Sequence, residues 1–154
     1  MIRSPTLRLT FAAAVLAAAS GHTGMCFAQA TNSPKSMAMR AVMESLGRDM
    51  QTTTDAISKE DWARVAETAQ KIAHHAEPPL SERKRILDWL GSNSELFEDL
   101  DEHTHEVAGA MRKAAENGDG QEVIETFAKL QNSCLACHQR FRRAFVDHFY
   151  APDR

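Results

Sequence analysis

Apolar residues along this chain recur at steps of three and four, which is the period of a helix face packed on a core. The spacing predicts a first helix over roughly Ser36 to Ser58, with Met39, Val42, Met43, Leu46, Met50 and Ile57 on one face. A second begins near Lys59, carries Trp62, Val65, Ala69, Ile72 and Ala73, and stops at Glu77-Pro78-Pro79. Proline cannot continue a helix and disfavours helical geometry in the residue before it. A short helical piece runs from Ser81-Glu82 to Trp89-Leu90 and closes at Gly91. Ser94 caps a third long helix with Leu96, Phe97, Leu100, Val107, Ala108 and Met111, ending at Asn117-Gly118. Asp119-Gly120-Gln121-Glu122 has the form of a capping box and opens a fourth, which reaches about Asp147. Period-2 runs and hairpin signals are missing. Four long helices with short connections predict an all-α fold, an antiparallel up-down-up-down four-helix bundle.

Residues 1–30 do not belong to that pattern. Arg3 and Arg8, the apolar run Leu9 to Ser20 and the Ala28-Gln29-Ala30 site make a cleaved secretory signal peptide. Cys26 is expected to leave with it. The mature domain is then residues 31–154, and loss of the two leader arginines takes the formal charge from −3 to −5. No basic face interleaved with aromatics suggests a nucleic-acid partner, and the mature chain has no membrane span.

Two thiols remain, in "CLACHQRFRR" from Cys134 to Arg143. The apolar stripe of the fourth helix is Val123, Phe127, Leu130, Cys134, Cys137, Phe141, Phe145, a bundle seam that turns both thiols inward. His138 follows on the shoulder of the same face. Haem has vinyl groups on neighbouring pyrrole rings, so thioether attachment needs two closely spaced thiols, and a histidine directly after the second reaches the iron from the same side. One covalently attached haem c per chain is the expected cofactor. A structural zinc site would need a second ligand pair. A thioredoxin-like pair belongs at a helix start in a βαβ setting.

These residues resemble the class II cytochromes c, that is cytochrome c′ and its low-spin, methionine-ligated relatives. The resemblance covers essentially the whole mature chain and extends to Phe141 and Arg142, three and four places after the histidine. It implies a periplasmic location and often a homodimer.

Function then turns on the second axial position. His138 lies about nine residues before the end of the fourth helix. Nine residues into the antiparallel first helix, counted from Pro34-Lys35, is position 43 or 44. Met43 is there. At about 1.5 Å per residue, Met39 sits roughly 6 Å away along the axis and Met50 roughly 10 Å away on the other side. The geometry favours Met43 and leaves Met39 open. The stretch "VMESLGRDM" resembles the ligand region of the methionine-ligated relatives, with Met43 in the ligand place. Arg40 and Arg142 are candidates for contacts to the haem propionates. His74, His75 and His105 fall away from their apolar stripes and are expected in solvent, while His103, at a stripe edge, is expected to be partly buried. The expected function is a non-enzymatic, periplasmic electron carrier serving redox partner proteins. The alternative is a five-coordinate haem protein that binds small gases such as nitric oxide, and a third reading is a haem-free helical module with a redox-active thiol pair.

Overall fold

A computed structural model describes residues 37–150; the leader, Cys26 and residues 31–36 lie outside the described residues. The described chain is all-helical: α1 Ala38–Ser58, α2 Trp62–Ala73, α3 Leu80–Leu90, α4 Ser94–Glu116, α5 Gly120–Cys137 and α6 Arg143–Phe149. α1, α2, α4 and α5 are the long helices of a bundle. A 3₁₀ turn, Gly91–Asn93, leads into α4, and a π-helical segment, His138–Arg142, joins α5 to α6.

The helix ends follow from local chemistry. Asp61 caps α2 by accepting from the Arg64 N–H at 3.0 Å, and Asp119 caps α5 by accepting from the Glu122 N–H at 3.0 Å. Between α1 and α2 the chain passes through Glu60 at φ 54°, a left-handed conformation that a side chain adopts at some cost. The second helix is therefore shorter than its apolar pattern suggests at both ends: it starts at Trp62 and stops at Ala73, before the prolines. α1 has no side-chain cap of its own. Its first two N–H groups, on Ala38 and Met39, instead donate to the two carboxylate oxygens of Glu82 on α3, at 2.9 and 2.8 Å.

α1 packs on α2, α2 on α4, and α4 on α5. Their shared core contains Ala56, Val65, Ala69, Ile72, Ala108, Met111, Ala115, Val123 and Leu130, all nearly or fully buried. The alanines let the helix axes approach. Two hydroxyl pairs cross this core, Thr53 with Thr68 at 2.8 Å and Thr104 with Ser133 at 3.1 Å. Each hydroxyl also bonds a carbonyl of its own helix, so no buried oxygen among them is left unpaired.

The first and fourth long helices, α1 and α5, do not pack closely on one another. At this end of the bundle a second apolar cluster gathers Met37, Ile86, Leu90 and Phe141 with Trp89, Phe97, Phe145, Phe149 and Tyr150. It borders a cavity of about 820 Å³.

Candidate functional site

Six parts of the chain build the cavity wall. α1 contributes Met39, Arg40, Val42 and Met43; α3 contributes Arg83 and Ile86; α4 contributes Phe97, Asp101 and His105. Cys137 closes α5, and His138, Phe141, Arg142 and Tyr150 come from the segment after it. His75 and Pro78, in the connection after α2, complete it. The volume is that of a site for a ligand of cofactor size, about 300–1,000 Å³.

Of the residues singled out in the sequence, Met43, Arg40, Cys137, His138 and Arg142 all reach this one wall. Cys134 does not. It lies one turn back on α5, half-buried beside Ser133, about 4.5 Å along the axis from Cys137.

The electrostatics separate these residues by task. Burial pushes the Cys137 thiol up to about 11, helped by the negative charge of Asp101 and by Cys134. Burial also raises Cys134. Both are thus neutral thiols at neutral pH, unlike the low-pKa thiolates of redox-active pairs. Burial lowers His138, and the Arg142 guanidinium adds to the effect. A neutral imidazole, with a free lone pair, is the form that binds a metal.

Met43 is 39 % exposed and belongs to neither apolar cluster, whereas Met39 packs into the one around Ile86 and Phe141. Arg40 holds its guanidinium 4.3 Å from the centre of the Tyr150 ring. Neither Arg40 nor Arg142 is in an ion pair among the described residues. Tyr150 Oη is buried without a hydrogen-bond partner among the described residues, an arrangement that costs about 1–3 kcal/mol unless a ligand supplies the acceptor.

His138–Arg142 forms the π-helical turn. π-Bulges are rare and collect at functional sites. Here the wider turn keeps Phe141 and Phe145 on the inner face although they follow Cys137 at successive steps of four.

The histidine expectations need correction. His75 is 10 % exposed, and its ring stacks on that of His105 with centroids 4.6 Å apart and an interplanar angle of 4°. Both Nε2 atoms face Asp101, at 3.6 Å from His75 and 3.3 Å from His105. His103, expected to be partly buried, is 56 % exposed beside Glu106. His74 is exposed, as expected. The i,i+4 pair Asp101/His105 was a readable signal. Placing His75 over it was not, because that contact depends on how the chain turns after Ala73.

A soft thiol on the wall with a second one turn back, an imidazole, a thioether sulfur, guanidinium groups and a buried hydroxyl around this cavity fit a haem with its iron and its propionates. A helical bundle carrying that set is a haem-binding c-type cytochrome. The chain belongs to the cytochrome c′ family, whose family model matches residues 35–142, well over half of its length. No curated protein and no solved structure matches it.

Proposed function

We propose that this protein is an exported single-haem electron carrier, with residues 1–30 as its cleaved leader and residues 31–154 as an antiparallel up-down-up-down bundle acting in the periplasm. The observation that carries the reading is that Met43 and His138 line one cavity together with Cys137, in a chain of the cytochrome c′ family. When bound, haem supplies one-electron chemistry between ferrous and ferric iron. Cys134 and Cys137 hold it by thioethers, and their protonated state keeps them from pairing or binding other metals first. His138 offers a neutral nitrogen and Met43 a thioether sulfur to the iron. Arg40, Arg142 and the Tyr150 hydroxyl take the propionates. On this reading the protein carries electrons and transforms no substrate. The mature charge of −5 favours redox partners with a basic docking face, and a homodimer is part of the same reading.

One observation favours gas binding as a second reading. Met43 is not wedged in the core, so a small gas can displace it with little disruption of packing. Absorption spectra of the oxidised, reduced and carbon-monoxide-treated protein decide between the two. The carrier is low-spin and does not respond to carbon monoxide. Met43→Ala converts it to a high-spin, carbon-monoxide-reactive form. A low-spin spectrum that survives this substitution refutes Met43 as ligand, and a denatured mature chain without the mass of one haem refutes covalent attachment.

A further inference from the structure

The trio His75, Asp101 and His105 has no task in the reading above, and its geometry is unusual for a surface ion pair. Each imidazole has its Nδ1 against a main-chain carbonyl, His75 against Ile72 at 3.0 Å and His105 against Ala73 at 2.6 Å. A carbonyl only accepts, so both Nδ1 atoms carry the hydrogen. In the neutral rings both Nε2 atoms are then bare acceptors, and both are aimed at a carboxylate, which is an acceptor too. Three acceptors converge on one point with no donor among them.

Protonation is a partial remedy: one ring can take a second proton and donate it to the carboxylate, which leaves the other Nε2 without a donor, and protonating both places two imidazolium ions face to face, 4.6 Å between centroids. A single dication between the three atoms satisfies all of them. We infer that His75 Nε2, His105 Nε2 and the Asp101 carboxylate form a binding site for a divalent first-row metal ion of the zinc class.

The distances agree with this assignment. Ligand atoms at about 2.0–2.2 Å from a tetrahedral zinc stand about 3.3–3.6 Å apart. His75 Nε2 stands 3.6 Å from Asp101 Oδ1 and His105 Nε2 stands 3.3 Å from Oδ2 of the same carboxylate, and one ligand atom from each residue lies within 4.8 Å of the others. Histidines that bind metals characteristically donate their other ring N–H to a carbonyl or carboxylate, which fixes the tautomer, and here both do. Two nitrogens and one oxygen suit zinc, with the fourth place open to water. Asp101 is 45 % exposed and His105 26 %, so an ion has an entry path.

A metal at this point ties the connection after α2 to α4 on the wall that also holds Cys137. It uses none of the residues assigned above to haem, although all three side chains line the same cavity.

The test is calorimetric titration of zinc chloride into the mature, haem-loaded chain after dialysis against a chelator. The thiols are then thioethers and do not compete. The expected result is one saturable site per chain, weakened about a hundredfold by Asp101→Asn and by His105→Gln separately, and unchanged by His103→Gln. Far-ultraviolet circular dichroism and the haem spectrum check that each variant is folded. X-ray absorption at the zinc edge of the unsubstituted protein, which requires no variant, should show imidazole scattering from two histidines. Absence of saturable binding, a zinc spectrum without imidazoles, or an affinity that Asp101→Asn and His105→Gln both leave intact overturns the assignment.

Discussion

Glu82→Ala should destabilise the protein by removing a cap that α1 borrows from another helix. Glu82 accepts from two consecutive N–H groups, at 2.9 and 2.8 Å, where the macrodipole of α1 is positive. Losing a side-chain N-cap costs about 0.5–2 kcal/mol, and the favourable charge at a helix N-terminus adds about 0.3–1 kcal/mol. The site is half-buried, so water replaces the lost acceptor only in part, and a total of about 2 kcal/mol follows. For a domain of this size that is a fall in Tm of roughly 6–10 °C. Glu82→Gln keeps one acceptor and loses the charge, and should fall between the two. Thermal melts followed at 222 nm in low and high salt give both numbers, and salt should narrow the gap between glutamate and glutamine. A Glu82→Ala melt within about 1 °C of the parent would show that water caps α1 equally well, and the reasoning would fail. A second readout is the haem spectrum, because Met39, Arg40 and Met43 lie in the first turns that Glu82 anchors.

Met111→Ala, at a fully buried centre of the main core, should cost about 2–5 kcal/mol, measured by urea unfolding. Gly120→Ala brings a Cβ to 2.9 Å from the Trp62 ring, and overpacking of this kind costs about 1–3 kcal/mol; a second substitution, Trp62→Leu, should relieve most of it. The Asp101 carboxylate, 3.6 Å from Nε2, raises the His75 pKa, against the effect of burial. A raised histidine pKa adds stability that is complete below the ordinary value of about 6.5 and is lost as pH rises through the folded-state value. In EDTA, urea midpoints should therefore drop between pH 6 and pH 8, and His75→Gln should reduce that drop.

Helix existence was legible because burial imposes a period. Val65, Ala69 and Ile72, and Val107, Ala108 and Met111, show it plainly, and the motif from Cys134 to His138 is a local spacing that no tertiary contact has to supply. Non-local features were not legible. Glu82 reads as an ordinary first-turn acid of α3 and gives no sign that its acceptors serve a helix 44 residues earlier. His75 and His105 each fall off the stripe of their own segment, and only the chain's path after Ala73 brings the rings together. The π turn left a faint trace in the steps of four from Cys137 to Phe149, too long on average for an α-helix, which a fixed 3.6-residue wheel treats as noise. The place of Met43 on the cavity followed from counting residues along two helices, although the helices stand apart there instead of touching.

The described bundle is solid at one end and hollow at the other. Val65, Ile72, Met111, Val123 and Leu130 fill the solid end with side chains that need nothing from outside the polypeptide. A newly made chain can therefore condense around that half before any cofactor is bound, with its thiols still protonated. Substitutions on the cavity wall can likewise retune what the iron meets without risking collapse, because cohesion and chemistry reside in different halves of the same helices.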